Sequence, residues 1–526
     1  IAQKNEKRAN ENADRADKQA KIAEERRVEA EAAKVRADEA KAEAIRLALV
    51  AQDAQRDAEE KRKRAEIAER DARVQKEIAL QEKDKAEVSE KSAIAARNDA
   101  QKQRYLATAK AMAIKSKELG NTVEKEALVA QQAYLFNKKY GGYIYDSDIY
   151  GGLYTALKNN DHPITKSLEA HKNGAARAVE THGKGNHIYS GGSDGRIFRW
   201  SYVNGEWKAE TIMDETKRGE PYLVYTLDTS PDGNLLAAGG LYPTNSEANF
   251  IELYDLQNPG YRKKIAGFKY DVGDIHFMPD GKGLYARDNS GHSIKYSDLS
   301  AAREVIASKV KILSLDLNSK GTMLAGAGDD GNIYLWDIGK GYAATTIKVS
   351  KVGLSALTFA PDGQQLIAGD RNGQLFLVSN GIVARDLQGH SSQIEDIRFN
   401  HAGNFFASAS KDYSVRLWNF RQLNQQPVIL KDHDWAWSVA FTPDDSQLMV
   451  GINSVRETAR LTTDQTIHAY PTNFEAMKDI LCSKTSRNMT KEEWEAEVAE
   501  DLPYEKTCEN FPGIATTGST NTKAGK

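Results

Sequence analysis

The chain has 526 residues, with 72 Lys and Arg against 75 Asp and Glu and a formal net charge of −3. That length allows two or three domains, and the near balance of charge leaves no global field to draw in nucleic acid or an acidic membrane surface. Two cysteines, Cys482 and Cys508, exclude a disulfide-rich scaffold, and no apolar run approaches the ~18 residues of a membrane-spanning helix.

The first predicted element is long. Alanine recurs at every seventh position from Ala2 to Ala107. A second row of small residues runs beside it, as Ala13 and Ala20 and then as Ala33, Ala40, Leu47 and Ala54. Such spacing puts both rows on one stripe of an α-helix. Glu, Lys, Arg, Asp and Gln fill the rest, and no Gly or Pro interrupts the run before Gly120. A solvated single helix held by i,i+4 ion pairs would not need alanine in phase. The repeat therefore predicts a left-handed coiled-coil stalk over 1–119, and with it a homo-oligomer of unspecified number and strand direction. Drawn as one helix it would reach roughly 170 Å. The chain opens with Ile1 rather than Met, already in heptad register. This predicts a fragment or processed form of a longer protein.

A helical neck is expected over 120–160. Gly120 suits a helix C′ position. Asn121 and Glu124 are spaced as a capping box for a helix from Thr122 to Lys139. Gly141 and Gly142 close that helix. A third, from Asp148 to Leu157, contains Gly151 and Gly152, which weaken it. So small a segment cannot hold a core alone and should dock on its neighbours.

From Pro163 the texture changes. Short runs of Val, Ile, Leu, Phe and Tyr alternate with hairpin turns, among them Asp194-Gly195, Pro231-Asp-Gly233, Pro279-Asp-Gly281, Asp330-Gly331, Pro361-Asp-Gly363 and Pro443-Asp-Asp445. The pattern repeats at a propeller-like period. Two units carry a full His–Ser–Asp–Trp set: His171, Ser190, Asp194 and Trp200, then His390, Ser408, Asp412 and Trp418. A further unit keeps Asp330 and Trp336 but has Gly326 in place of serine. Another has Asn372 and no tryptophan. These units resemble WD40 repeats, seven of them across 163–475. The resemblance implies an all-β seven-bladed WD40 β-propeller over 161–473, in which the four-residue sets are structural networks. It also implies closure, with Ile164–Leu168 pairing with a last blade that ends at Thr466–Tyr470.

After the ring, Phe474–Cys482 is a predicted helix, and Thr490 with Glu493 is spaced as a capping box. Residues 474–510 form a capping tail, and 511–526, rich in Gly, Ser and Thr, are expected to be disordered. Cys482, Arg487, Asn488, Met489, Thr490, Glu493, Trp494, Thr507 and Cys508 resemble the tail of a bacterial WD40 family best represented in Bacteroidota. In that family the propeller often follows a transmembrane segment and a charged helical stretch, and many members carry a STAND-type NTPase further upstream.

Chemistry is sparse. The sequence has no GxxxxGK[ST] loop, no HExxH and no CxxC pair. His171 and His390 are spoken for by the blade networks, so no catalytic, cofactor or metal residues are assigned and no enzyme activity is expected. Cys482 and Cys508 either form a disulfide, which would require an oxidising compartment, or are two buried thiols. Trp435 and Trp437 open the last blade and are the candidate partner-binding residues, against core packing as the reading that tryptophan at a strand start favours. Turns and loops at Asp194, Tyr242–Asn249 and Ser454–Thr463 are further candidates.

The expected function is a non-catalytic scaffold or sensor: a protein-binding propeller on a coiled-coil rod, held at a membrane by an anchor upstream of Ile1, on either side of the bilayer. No nucleic-acid partner is expected. The competing expectation is the sensor half of a STAND-type signalling or defence NTPase.

Overall fold

A computed structural model describes residues 2–68, 75–120, 122–162, 167–171, 174–181, 187–215, 222–242, 249–258, 260–432, 434–453 and 465–513. The chain divides into two compact units. One comprises Ile1–Ile144, Gly151–Ala156 and Leu481–Lys526; the other comprises Tyr145–Tyr150 and Leu157–Ile480.

In the first unit the alanine-rich tract forms two helices, α1 (Ala2–Ala68) and α2 (Gln75–Ser116). Residues 69–74 lie outside the described residues. The backbones of α1 and α2 come into contact. On one straight helix Ala68 and Gln75 would lie about 10 Å apart and the segments beyond them farther still. The tract is therefore not the single rod that its repeat suggested. Residues 3–31 of α1 are exposed throughout, Ala9, Ala16, Ala23 and Ala30 included.

α3 (Val123–Lys139) packs against α2. Phe136 meets Tyr105 edge-on at 5.1 Å, and Tyr140 stacks on Tyr105 at 3.9 Å. Asn121, half of the expected capping box, lies outside the described residues, Thr122 takes the N-cap position without a side-chain capping bond, and Glu124 accepts hydrogen bonds from the Ser486 backbone and hydroxyl, both 2.7 Å. Those bonds, with the Arg487 charge, hold the Glu124 carboxyl below its usual range.

α4 (Ser147–Asn159) runs through Gly151 and Gly152 unbroken. A Cβ on Gly152 would stand 3.0 Å from both the Ala113 carbonyl and the Ser116 hydroxyl of α2. The glycine permits a close helix approach rather than a break.

The tail motif closes this unit. α5 (Phe474–Lys484) leads into it, and α6 (Lys491–Glu497) starts with a complete Thr490–Glu493 capping box. The Asn488 amide accepts the Thr507 and Cys508 N–H groups and donates to the Cys508, Phe511 and Pro512 carbonyls. The Trp494 indole donates to the Leu502 carbonyl at 3.0 Å and packs against Phe136. Cys482 and Cys508 are joined by a disulfide, with Cα atoms 5.8 Å apart. Residues 514–526 lie outside the described residues.

The second unit holds seven antiparallel sheets of four strands each. Their first strands are Ala176–Thr181, Leu223–Thr229, Val272–Phe277, Ile312–Leu317, Leu354–Phe359, Ile394–Phe399 and Ala436–Phe441. Each touches the next in that order and the last touches the first, so the blades form a ring. Six blades use consecutive strands. The seventh runs in the order Ser167–Glu169, Gln465–Pro471, Gln447–Ile452, Ala436–Phe441. The segment before blade one is thus the outer strand of blade seven, with Leu168 opposite Ile467; residues 164–166 lie outside the described residues.

Local chemistry fixes these hairpins. Gly233, Gly281 and Gly363 take φ of 76°, 70° and 69° in their Pro-Asp-Gly turns, a region that glycine enters at little cost. The seventh blade has Asp445 there instead, at φ 56°. Its carboxylate is put to use, accepting from the His401 and Ala402 backbone N–H groups and from the His401 ring, all at 2.9 Å.

Between blades, branched apolar residues form the core, such as Ile333, Leu354 and Leu366. Side chains on the first strands also reach the next blade. Asp228, Asp274, Asp316 and Asp396 accept the backbone N–H of Phe277, Leu315, Phe359 and Val439, and Ser438 accepts that of Val179.

Candidate functional site

The blade networks are complete where the four residue types occur together. His171 lies 2.8 Å from Asp194 and 3.0 Å from Ser190, and the Trp200 indole donates to Ser190 at 2.9 Å. A carboxylate can only accept, so the histidine Nδ1 carries the proton and Nε2 takes the serine's. The sixth blade repeats this: His390 Nε2 is 2.7 Å from Ser408, Nδ1 is 3.0 Å from Asp412, and Trp418 donates to Ser408 at 3.0 Å. Burial pushes His390 below its ordinary value, against the pull of Asp412. Burial alone would raise the Asp412 carboxyl; hydrogen bonds from His390, Ser414 and Ser391 outweigh it and hold the group low. In both sets the histidine ring joins the serine to the aspartate, so the four residues form one continuous network within the blade.

In the fourth blade the Trp336 indole lies over Gly326 in the space a serine would fill. Asp330 turns to the Tyr334 hydroxyl at 2.8 Å and the Asn332 amide at 2.7 Å. The fifth blade has Val378 opposite Leu366, where the fourth has Trp336 opposite Leu324.

A different set of residues meets at one end of the blades. Each first strand has a β-bulge near its start, visible as a register shift. The bulged residues, in ring order, are Arg177, Tyr225, Gly273, Leu313, Ser355, Glu395 and Trp437. A bulge re-aims its side chain out of the regular pleat. Blades three to five place small or aliphatic residues there, whereas blades six, seven, one and two place Glu, Trp, Arg and Tyr side by side.

These four side chains interact. The Arg177 guanidinium lies 4.0 Å from the Trp437 ring centre and 5.6 Å from that of Tyr225. Lys411, from the turn between the second and third strands of blade six, sits 5.1 Å from Trp437 and 5.4 Å from Trp435. It also forms a 2.9 Å ion pair with Glu395. Trp435 meets Trp437 edge-on at 5.9 Å and is 37% exposed. Burial lowers the Arg177 guanidinium pKa, opposed by Tyr225 and Glu395. Burial raises the Glu395 carboxyl, opposed mainly by Lys411.

Trp435 and Trp437 are thus placed together, with three neighbours that the sequence reading passed over: Arg177, Tyr225 and Glu395. The signal was available, since each stands two residues before the apolar residue, Val179, Leu227 or Ile397, that centres its strand. Asp194 is 8% exposed and belongs to the blade-one network. Residues 243–248 and 454–464 lie outside the described residues, so those two candidate loops are not part of this site. Among the described residues no cluster of His, Cys, Asp and Glu is arranged to hold a metal ion.

The fold defines a class: this is a seven-bladed β-propeller, and three segments of it match the WD40 repeat. The family model for the WD domain, G-beta repeat, matches residues 163–201, 303–337 and 381–419. Those segments end in the three blades whose third strand carries a tryptophan, Trp200, Trp336 and Trp418. The chain is similar to the transcription factor unc-37 of Caenorhabditis elegans, 23% identical over 328 residues, which are 58% of this chain and 49% of that protein. It thus spans about half the length of that relative. It is also similar to the LST8 homolog of Drosophila melanogaster, 21% identical over 48% of this chain and 82% of that one. A third relative is eukaryotic translation initiation factor 3 subunit I of Aspergillus fumigatus, 27% identical over 50% of this chain and 65% of that one. Among solved structures, the WD40 beta propeller domain of Doa1 aligns with a TM-score of 0.49 and 17% identity, covering 59% of this chain and 96% of that one.

Proposed function

We propose that this protein is a non-catalytic scaffold whose propeller binds a protein partner at the bulge ring, through Trp435, Trp437 and Arg177. The observation that carries this reading is the lopsided ring. Large aromatic and charged side chains occupy adjacent blades at one fixed position, and Trp435 stands exposed beside them. Aromatic residues and arginine are the residue types that dominate binding energy at protein interfaces.

The helical tract supplies self-association in this proposal. Supporting it, the alanine row over residues 3–31 is exposed along its length, and close-packed alanine seams need a partner helix. An anchor upstream of Ile1 would hold the assembly at a membrane. No described helix is long and apolar enough to cross a membrane. The Cys482–Cys508 bond favours an oxidising compartment for both units.

A photo-crosslinking amino acid placed at Trp435 in the native host tests the binding face. Covalent adducts at Trp435, with none at Ile382 on an outer strand, are expected. Equal yields at both positions would refute the assignment. Sedimentation of the full chain tests self-association, and a monomer at micromolar concentration would refute it.

A further inference from the structure

We propose that the Arg177–Trp437 pair is the receptor for an acidic side chain, aspartate or glutamate, on a peptide segment of the partner protein. The inference rests on the reading of the propeller as a protein-binding scaffold and names the chemistry it selects.

Two buried donors at this point lack acceptors. Arg177 Nε and Trp437 Nε1 have no hydrogen-bond partner among the described residues, and their side chains lie face to face at 4.0 Å. A buried unmet donor is costly, and a ligand that supplies oxygen atoms recovers that cost. Arg177 lies over the Trp437 ring at 4.0 Å with the Tyr225 ring 5.6 Å away, so its planar fork is oriented before any ligand arrives.

Charge points the same way. Arg177 and Lys411 are cations, and Glu395, ion-paired with Lys411, acts on both of them. Two cations thus share one carboxylate in this cluster, which leaves it with excess positive charge. A carboxylate balances it and offers two acceptor oxygens to a guanidinium. A basic ligand fits poorly, because Arg177 already occupies the face of Trp437 and both donors would stay unmet. Exposed Trp435 offers apolar contact to a neighbouring residue of the same peptide.

The test is to pan a phage library of random dodecamer peptides against the full chain and to synthesise the strongest binders. The expected binders contain an Asp or Glu whose change to Asn or Gln weakens binding about tenfold or more. Arg177→Gln and Trp437→Phe should weaken the same peptides to a similar degree, Arg177→Lys less, and Ile382→Ala not at all. Thermal melts check that each variant folds. If Arg177→Gln does not, the peptide substitutions and Trp437→Phe still decide the question. Binders without an acidic residue, or binding indifferent to Arg177→Gln, would overturn the carboxylate receptor while leaving the scaffold intact. A peptide that binds only when its acidic residue is replaced by phosphoserine would also overturn it, in favour of a phosphate ligand. Recovery of no peptide would remove both the receptor and the binding face.

Discussion

Trp336 packs its indole directly over Gly326: a Cβ on that glycine would stand 2.8 Å from two ring carbons and 3.0 Å from the Ile312 methyl. The fourth blade has therefore filled the missing serine position with the ring itself. Gly326→Ser restores the residue type of the complete networks, yet it should destabilise the propeller by about 1–3 kcal/mol through overpacking. Urea denaturation followed at the propeller transition checks this. An increase in stability would mean that Trp336 can swing away to make the bond.

Loss of the closing strand should be costly. Removing residues 161–170 strips Ser167–Glu169 from the seventh blade, bares the Gln465–Pro471 edge and exposes apolar residues beneath it, including Ala469. A propeller melting temperature lowered by several degrees and a rise in aggregation are expected. Differential scanning calorimetry and light scattering read the two effects.

The blade-six network makes stability depend on pH. His390 has a folded-state value below its ordinary 6.5, so the unfolded chain takes up the proton first. Its contribution is present above about pH 6.5 and is lost as pH falls from there toward the lower folded value. Asp412, Arg416 and the Ser408 backbone are the groups that act on it. Asp412 is also depressed, and it adds stability above about pH 4 that fades only on further acidification. Both effects act in the same direction. His390→Gln should lower stability at pH 7.5 and flatten its slope between pH 7 and 5. Urea midpoints across that range provide the measurement.

The disulfide predicts a simple chemical outcome. The chain has only Cys482 and Cys508, so maleimide should label neither in denaturant without reductant and both after reduction. Cys508→Ser should destabilise the helical unit by about 2–4 kcal/mol. Labelling of both thiols without reductant would contradict the bond.

Much of the fold was legible because turn chemistry is local. Pro-Asp-Gly and Asp-Gly sequences fix their own backbone geometry, and hairpins spaced at regular intervals leave few architectures open. Closure by the strand before blade one was legible from a count of strands in the last unit. The neck was less so. Gly151 and Gly152 looked like breakers, because local propensity carries no knowledge of Ala113 and Ser116, against which Gly152 packs. Glu124 looked like a cap, but Ser486 and Arg487 stand some 360 residues away in sequence and take its carboxylate. The stalk reads as one helix because heptad periodicity carries no signal for where one helix ends and the next begins. At the candidate site, aromatic composition drew attention to Trp435 and Trp437. Arg177 was missed because a lone arginine in a strand looks like a solvated edge until the bulges are superposed.

The closing strand also sets an order of events during synthesis. Leu168 leaves the ribosome roughly 300 residues before Ile467, its partner, an interval of about 15–60 s at ordinary elongation rates. Throughout that interval six blades can assemble while the ring stays open at one seam. A chain truncated before Gln465 retains that open seam permanently, with unpaired backbone at each side of it. The last strand therefore marks completion of the ring, because only a full-length chain can cover that edge.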